Sequence, residues 1–270
     1  MRHLTIHLFL LYSVLLPFLA RAQVLANPHF YSLVSPSGKE SFLLGTVHRG
    51  VEISELPPAV IQKFNHSKAL MTEAVLSEEE VESILSGQLI ELQIKKFKHR
   101  GFNLTIEEKI RLTRDWKMDP RLANKIKSQD CSLLSSEGAP TSGFMDVHLM
   151  DMARKQNKSL FGLDSDKQFD QLKRQNSVQP CDIRKMIKSL SPEDYQRAQL
   201  EFYDEYRRGS PIESESDPIT EGRNLFWLPK ILNHADKGNL FIAVGFFHLY
   251  GPKGLIHLLQ KQGYQVSRWR

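Results

Sequence analysis

The stretch from Asn239 to Val244 is an apolar run closed by Gly245, with a helical pattern before it at Leu225 to His234. A second helical pattern follows at Gly254 to Gln262, and then a final strand at Tyr264 to Trp269. A strand without polar alternation is covered on both faces, so this end of the chain specifies a sheet with helices packed on it. The motif that ends the run, Gly245-x-x-His248, also occurs near the start as Gly45-x-x-His48. Each copy follows an apolar strand, which makes the two ends of the chain candidate related halves facing one site. A glycine in that position can also simply turn the chain.

Upstream, His29 to Val34 and Glu40 to Val47 are partly alternating runs separated by Ser35-Pro36-Ser37-Gly38, a hairpin signal. Pro57 and Pro58 open a helix through about Ser67, and Ala69 to Val75 reads as a strand carrying one acid, Glu73. Ser77 with Glu80 forms a capping box for a helix expected to reach about Arg100. Further helices are expected at Thr105 to Trp116, Gly143 to Gln156 and Pro192 to Arg208, with a short strand at Leu160 to Leu163. The fold class is therefore mixed α/β, a central sheet built from the N- and C-terminal halves and flanked by helices. Residues of about 78–142 are expected to form a helical insertion capping the cleft, because their polar helical faces suit a cover better than a core.

The first 22 residues read as a secretory signal: Arg2 and His3, an apolar run from Leu8 to Leu19 too short to span a bilayer, and Ala20-Arg21-Ala22 as a cleavage site. The expectation is an exported catalytic domain over residues 23–270 with no stable transmembrane segment. The 36 Lys and Arg residues barely exceed the 31 Asp and Glu, and two of those cations lie in the signal. Charges are mixed along the chain, so nucleic acid is not an expected partner. Cys131 and Cys181 are the two cysteines; one disulfide and two free thiols both remain open. No Gly-x-Ser-x-Gly elbow, His-Glu-x-x-His helix, phosphate loop or dinucleotide fingerprint is present, which removes the common serine hydrolases, zincins, kinases and Rossmann dehydrogenases.

Histidines placed just past strand ends project into a crevice. His48 and His248 are the two such residues, and Glu73 is the best carboxylate to join them. Two imidazoles and a carboxylate suit a borderline divalent metal with one position left for water. Asp146 and Asp164 stand at a helix start and a strand end, where N-capping is the plainer role. Arg223 and Asn224 open the helix before the last buried strand, where an arginine can hold a carboxylate or a substrate carbonyl.

Together these segments resemble the TraB/PrgY/GumN family, which includes the Tiki metalloproteases. The resemblance rests on Phe42-Leu43-Leu44-Gly45-Thr46-Val47-His48, the strand bearing Glu73, Met145-Asp146, and Leu160-Phe161-Gly162-Leu163-Asp164. It continues through Arg223-Asn224 and Phe241-Ile242-Ala243-Val244-Gly245-Phe246-Phe247-His248. The family usually has glutamate where Asp164 stands. What the resemblance implies is a metal-dependent hydrolase acting on a peptide or protein, using Mn, Co or Zn. His48, Glu73, His248 and Asp164 would be the metal ligands, and His48, Glu73, His248, Asp146, Arg223 and Asn224 the catalytic set. Two alternatives share the cleft: a metal-free ester or amide hydrolase, as in the more distantly similar erythromycin esterases, and a non-catalytic peptide- or haem-binding protein.

Overall fold

In the computed structural model, which describes residues 24–48, 50–96, 100–130, 143–176, 181–211 and 217–269, both ends of the chain enter one sheet. Strands β1 (Phe30–Val34) and β2 (Glu40–Thr46) form the expected antiparallel hairpin, with Phe30 opposite Leu44. Gly38 takes the positive φ of 79° that the turn between them needs. With β3 (Ala69–Thr72), β4 (Ser159–Gly162), β5 (Leu240–Gly245) and β6 (Gln265–Arg268), the order across the sheet is β4-β3-β5-β2-β1-β6. The pairs β4–β3, β3–β5 and β5–β2 are parallel, while β1 is antiparallel to both β2 and β6. The fold is mixed α/β.

Register decides what the four parallel strands can do. Thr46 pairs with Gly245, and Thr72 pairs with Ala243 on one side and Gly162 on the other. Their carboxyl ends therefore lie in one row, and whatever follows each strand is delivered to the same edge of the sheet. In open α/β sheets that edge is where ligands bind.

Among the described residues there are eleven helices: α1 (Pro58–His66), α2 (Glu78–Leu85), α3 (Leu89–Lys96), α4 (Ile106–Arg114), α5 (Pro120–Lys125), α6 (Met145–Lys155), α7 (Asp166–Gln175), α8 (Ile183–Ser189), α9 (Pro192–Arg208), α10 (Pro218–Ala235) and α11 (Leu255–Lys261). Ser77 accepts from the Glu80 amide and Glu80 reaches back, so the capping box at α2 forms as its spacing predicts. The single helix expected to reach Arg100 is instead two, because Gly87 adopts φ 79° between α2 and α3. The helix expected to open at Arg223 starts earlier, at Pro218, capped by the Asp217 carboxylate on the Ile219 and Thr220 amides. Its first turns carry polar residues and so lack the apolar period that marks a helix in sequence.

The main core is the sheet's inner residues with α1, α6, α10 and α11 packed on them; Trp227, Tyr206, Phe30 and Phe64 are its largest fully buried members. A second, smaller core joins Leu112 of α4 and Leu122 of α5 to Trp116, Ile183 and Ile187. Because the last two come from α8, this helical layer draws on residues beyond 142 as well as on the segment before it. Cys181 is disulfide-bonded; the chain's other cysteine, Cys131, lies outside the described residues, as does the expected signal segment. Among the described residues no helix is long and apolar enough to cross a membrane.

Candidate active site

The row of strand ends carries the chemistry-bearing residues. Asp164 follows β4, Glu73 follows β3, His248 lies in the short 3-10 turn after β5, and His48 lies two residues past β2. Glu73 was expected inside its strand; β3 stops at Thr72, which places the acid at the edge with the others. Both motif glycines are needed for close approach. A Cβ on Gly45 would stand 2.6 Å from Leu249 Cδ1 and 2.8 Å from Phe246 Cβ, both belonging to the segment around the second motif. A Cβ on Gly245 would stand 3.0 Å from Glu73 Oε1, 3.7 Å from His248 Cδ2 and 3.8 Å from His48 Nε2. Three side chains from three strands thus ring one point above Gly245.

The two histidines are held in opposite charge states. His48 Nδ1 lies 2.6 Å from Asp146 Oδ2, and Thr46 Oγ1 donates to Asp146 Oδ1 at 2.6 Å. Asp146 sits in the first turn of α6, as expected of a helix-start acid, but its carboxylate turns to His48 and Thr46. The hydrogen bond and charge of Asp146 push His48 up from 6.5 to about 9, so it is an imidazolium at neutral pH. Its Nε2–H then faces the cleft as a proton donor.

His248 is 4% exposed, and burial pushes it down to about 4, with Glu73 acting against that shift and Arg223 adding to it. Its tautomer follows from Asn224. The Asn224 Nδ2 donates to the His248 and Lys253 carbonyls, at 3.1 and 2.9 Å, so Oδ1 is the acceptor facing His248 Nδ1 at 2.7 Å. The proton is therefore on Nδ1, and the lone pair of Nε2 accepts from Arg223 Nη1 at 3.1 Å. The ring also packs at a tilt against Trp227, centroids 4.3 Å apart.

Glu73 accepts from the Gly245 amide at 2.8 Å through Oε1 and from Arg223 Nη2 through Oε2. Burial works to raise its pKa, but the charges of Arg223 and His48 and the Gly245 hydrogen bond outweigh it and hold the carboxyl below the ordinary glutamate range. Asp164 takes Arg223 Nε at 3.2 Å, Arg223 Nη2 at 2.7 Å and Trp227 Nε1 at 3.0 Å. Arg223 is thus shared by two carboxylates and one imidazole, and its guanidinium lies 4.5 Å above the Trp227 ring.

The structure brings together all seven residues singled out in the sequence: His48, Glu73, Asp146, Asp164, Arg223, Asn224 and His248. Sequence reasoning missed Thr46 and Trp227. Trp227 stands four residues after Arg223 on α10, on the same helix face, and that spacing was the available signal. It also missed α9 as a brace: Tyr206 Oη donates to the Gly45 carbonyl at 2.8 Å, and Arg207 Nη2 to the Gly50 carbonyl at 2.7 Å. Arg207 also pairs with buried Glu55, Nε to Oε2 at 2.7 Å, which ties down the loop that follows His48.

These features define a mixed α/β protein whose polar centre is built from two adjacent Gly-x-x-His strand ends, a glutamate from the next strand end and an arginine from an adjoining helix. The chain belongs to the TraB/PrgY/gumN family, whose model matches residues 31–268. Comparison with curated proteins and with solved structures returned no match.

The divalent ion implied by the resemblance has donors of the right type here, two imidazoles and a carboxylate. In the arrangement observed they do not fit it. The lone pair of His248 Nε2 and the Oε2 of Glu73 are both taken by Arg223, and Asp164 is turned to Arg223 and Trp227. Among the described residues no group of three or more His, Cys, Asp or Glu side chains stands in metal-holding geometry.

Proposed function

We propose that this chain is an exported hydrolase that cleaves a peptide or protein substrate by paired acid–base chemistry at the cleft edge. One observation carries the reading: an imidazolium, His48, and an ionised carboxylate, Glu73, face the same cavity, with protonation states set in opposite directions by their neighbours. Glu73 takes a proton from the attacking water as its oxygen bonds to the scissile carbonyl carbon. His48 Nε2–H first steadies the developing oxyanion and then protonates the departing amine. The proton held on Glu73 passes to the neutral His48 and restores the starting state. Arg223 keeps Glu73 ionised and aimed, Asn224 fixes the His248 tautomer that receives Arg223, and Asp146 keeps His48 charged.

The rate profile tests this. kcat/KM should hold a plateau from an acid limb below the ordinary glutamate range, where Glu73 protonates, to an alkaline limb near 9, where His48 loses its proton. A rising limb at 6 to 7 would mean that neutral His48 is the active form, and would overturn the assignment. His48→Ala and Glu73→Gln should each remove turnover with the fold retained. The ring of His48, Glu73 and His248 around Gly245 favours one second reading, the metal-dependent hydrolase holding Mn, Co or Zn. It requires Arg223 to withdraw from His248 and Glu73. Metal analysis of the purified protein, and turnover with and without EDTA, separate the two. Export is tested by sequencing the N-terminus of the secreted protein, which should begin at Gln23.

A further inference from the structure

Beside the polar centre lies a cavity of about 290 Å³ whose mouth carries His48, Glu73, Asp146 and Asp164. Its walls are of another character. Leu76, Ile84 and Leu89, from α2, α3 and the segment before them, face Phe144, Val147 and Met150 at the start of α6. The hydrolysis proposed above uses none of these six.

We propose that this cavity is the specificity pocket for one apolar side chain of a peptide substrate, the residue beside the scissile bond. The inference rests on the hydrolase reading and adds the substrate class. Three features of the cavity select the occupant. The volume is at the low end of ligand cavities, which run from about 300 to 1,000 Å³, so it holds a single residue rather than a run of them. The carboxylates at its rim and the Thr72 hydroxyl are already paired: Asp146 with His48 and Thr46, Asp164 with Arg223 and Trp227, Glu73 with Gly245 and Arg223, and Thr72 Oγ1 with the Ala74 carbonyl. A charged side chain entering would give up its hydration against apolar walls, and an acidic one would also meet three carboxylates at the mouth. Leucine, methionine or phenylalanine would gain contact with six apolar walls. The pocket also opens on His48 and Glu73, so a side chain seated in it brings its own peptide carbonyl to the reacting pair.

The experiment has two arms on the full chain. In the first, quenched fluorescent peptides that differ only at the residue beside the cleaved bond are compared by kcat/KM. Leucine or phenylalanine should exceed glycine by about 10- to 100-fold, the effect of burying one such side chain. Filling the pocket by Ile84→Trp, or by Leu89→Trp should the first variant fold poorly, should bring that ratio close to one. In the second arm, N-acetyl-leucinamide is titrated into protein with labelled methionine methyls. The Met150 signal should shift in the wild type and stay still in the tryptophan variant. Peptides cleaved with no preference for an apolar residue, and a Met150 methyl indifferent to the probe, would overturn the pocket while leaving the hydrolase reading intact. A shifted Met150 signal with no peptide cleaved would support the pocket and overturn the hydrolase reading.

Discussion

Asparagine at position 146 is the sharpest single test of how the site is charged. Asp146→Asn keeps an acceptor for His48 Nδ1–H but removes the negative charge that, through its hydrogen bond, holds His48 at about 9 rather than 6.5. The His48 side chain is 68% exposed, against 15% for Asp146, so solvent screens the pair and its effective worth is about 1 kcal/mol. At about 1.4 kcal/mol per unit, the alkaline limb of the kcat/KM profile should move toward acid by about one pH unit. The His48 Cε1–H resonance should titrate with the same displacement. The sign for stability follows from the raised folded-state pKa: the stabilisation is complete below 6.5 and disappears as pH rises through about 9. The pH-dependent part of the stability difference between wild type and variant should therefore vanish by pH 10.5. An alkaline limb that stays in place, or moves to higher pH, would refute the imidazolium assignment.

Other outcomes follow from the same geometry. Arg223→Gln leaves Glu73 without its guanidinium in a largely buried position; about 3 kcal/mol should be lost in urea unfolding, and the acid limb of activity should rise. Asn224→Ala strands the His248 Nδ1–H and two carbonyls at a buried position, lowering stability by about 2–3 kcal/mol by calorimetry. His29 and His248 are buried and pushed down to about 4, so each stabilises the fold above 6.5 and gives that up as pH falls toward 4. Thermal melts should fall across that window, less steeply in a His29→Gln variant. Arg207→Ala unpairs buried Glu55 and frees the Gly50 carbonyl; thermal stability should fall by about 2 kcal/mol, and turnover should fall with it if the loop beyond His48 loosens.

The residue pattern by itself determined the strands and singled out seven of the residues that gather at their ends, though not Thr46 or Trp227. Apolar runs closed by glycine fix β2 and β5, because a two-sided burial pattern has few other solutions. The repeated Gly-x-x-His and the lone Glu73 in an apolar run were legible for the same reason: polar residues among apolar ones stand out. Tertiary structure alone decided the roles. That β2 pairs in parallel with β5, across nearly two hundred residues, is a register no local pattern encodes, and it is what brings His48 and His248 to one edge. Charge states were equally hidden. Two histidines in the same sequence motif separate to about 9 and about 4 because one meets a carboxylate and the other is buried against an asparagine and an arginine. Protonation depends on the neighbours that folding supplies from distant positions, and no motif names those neighbours.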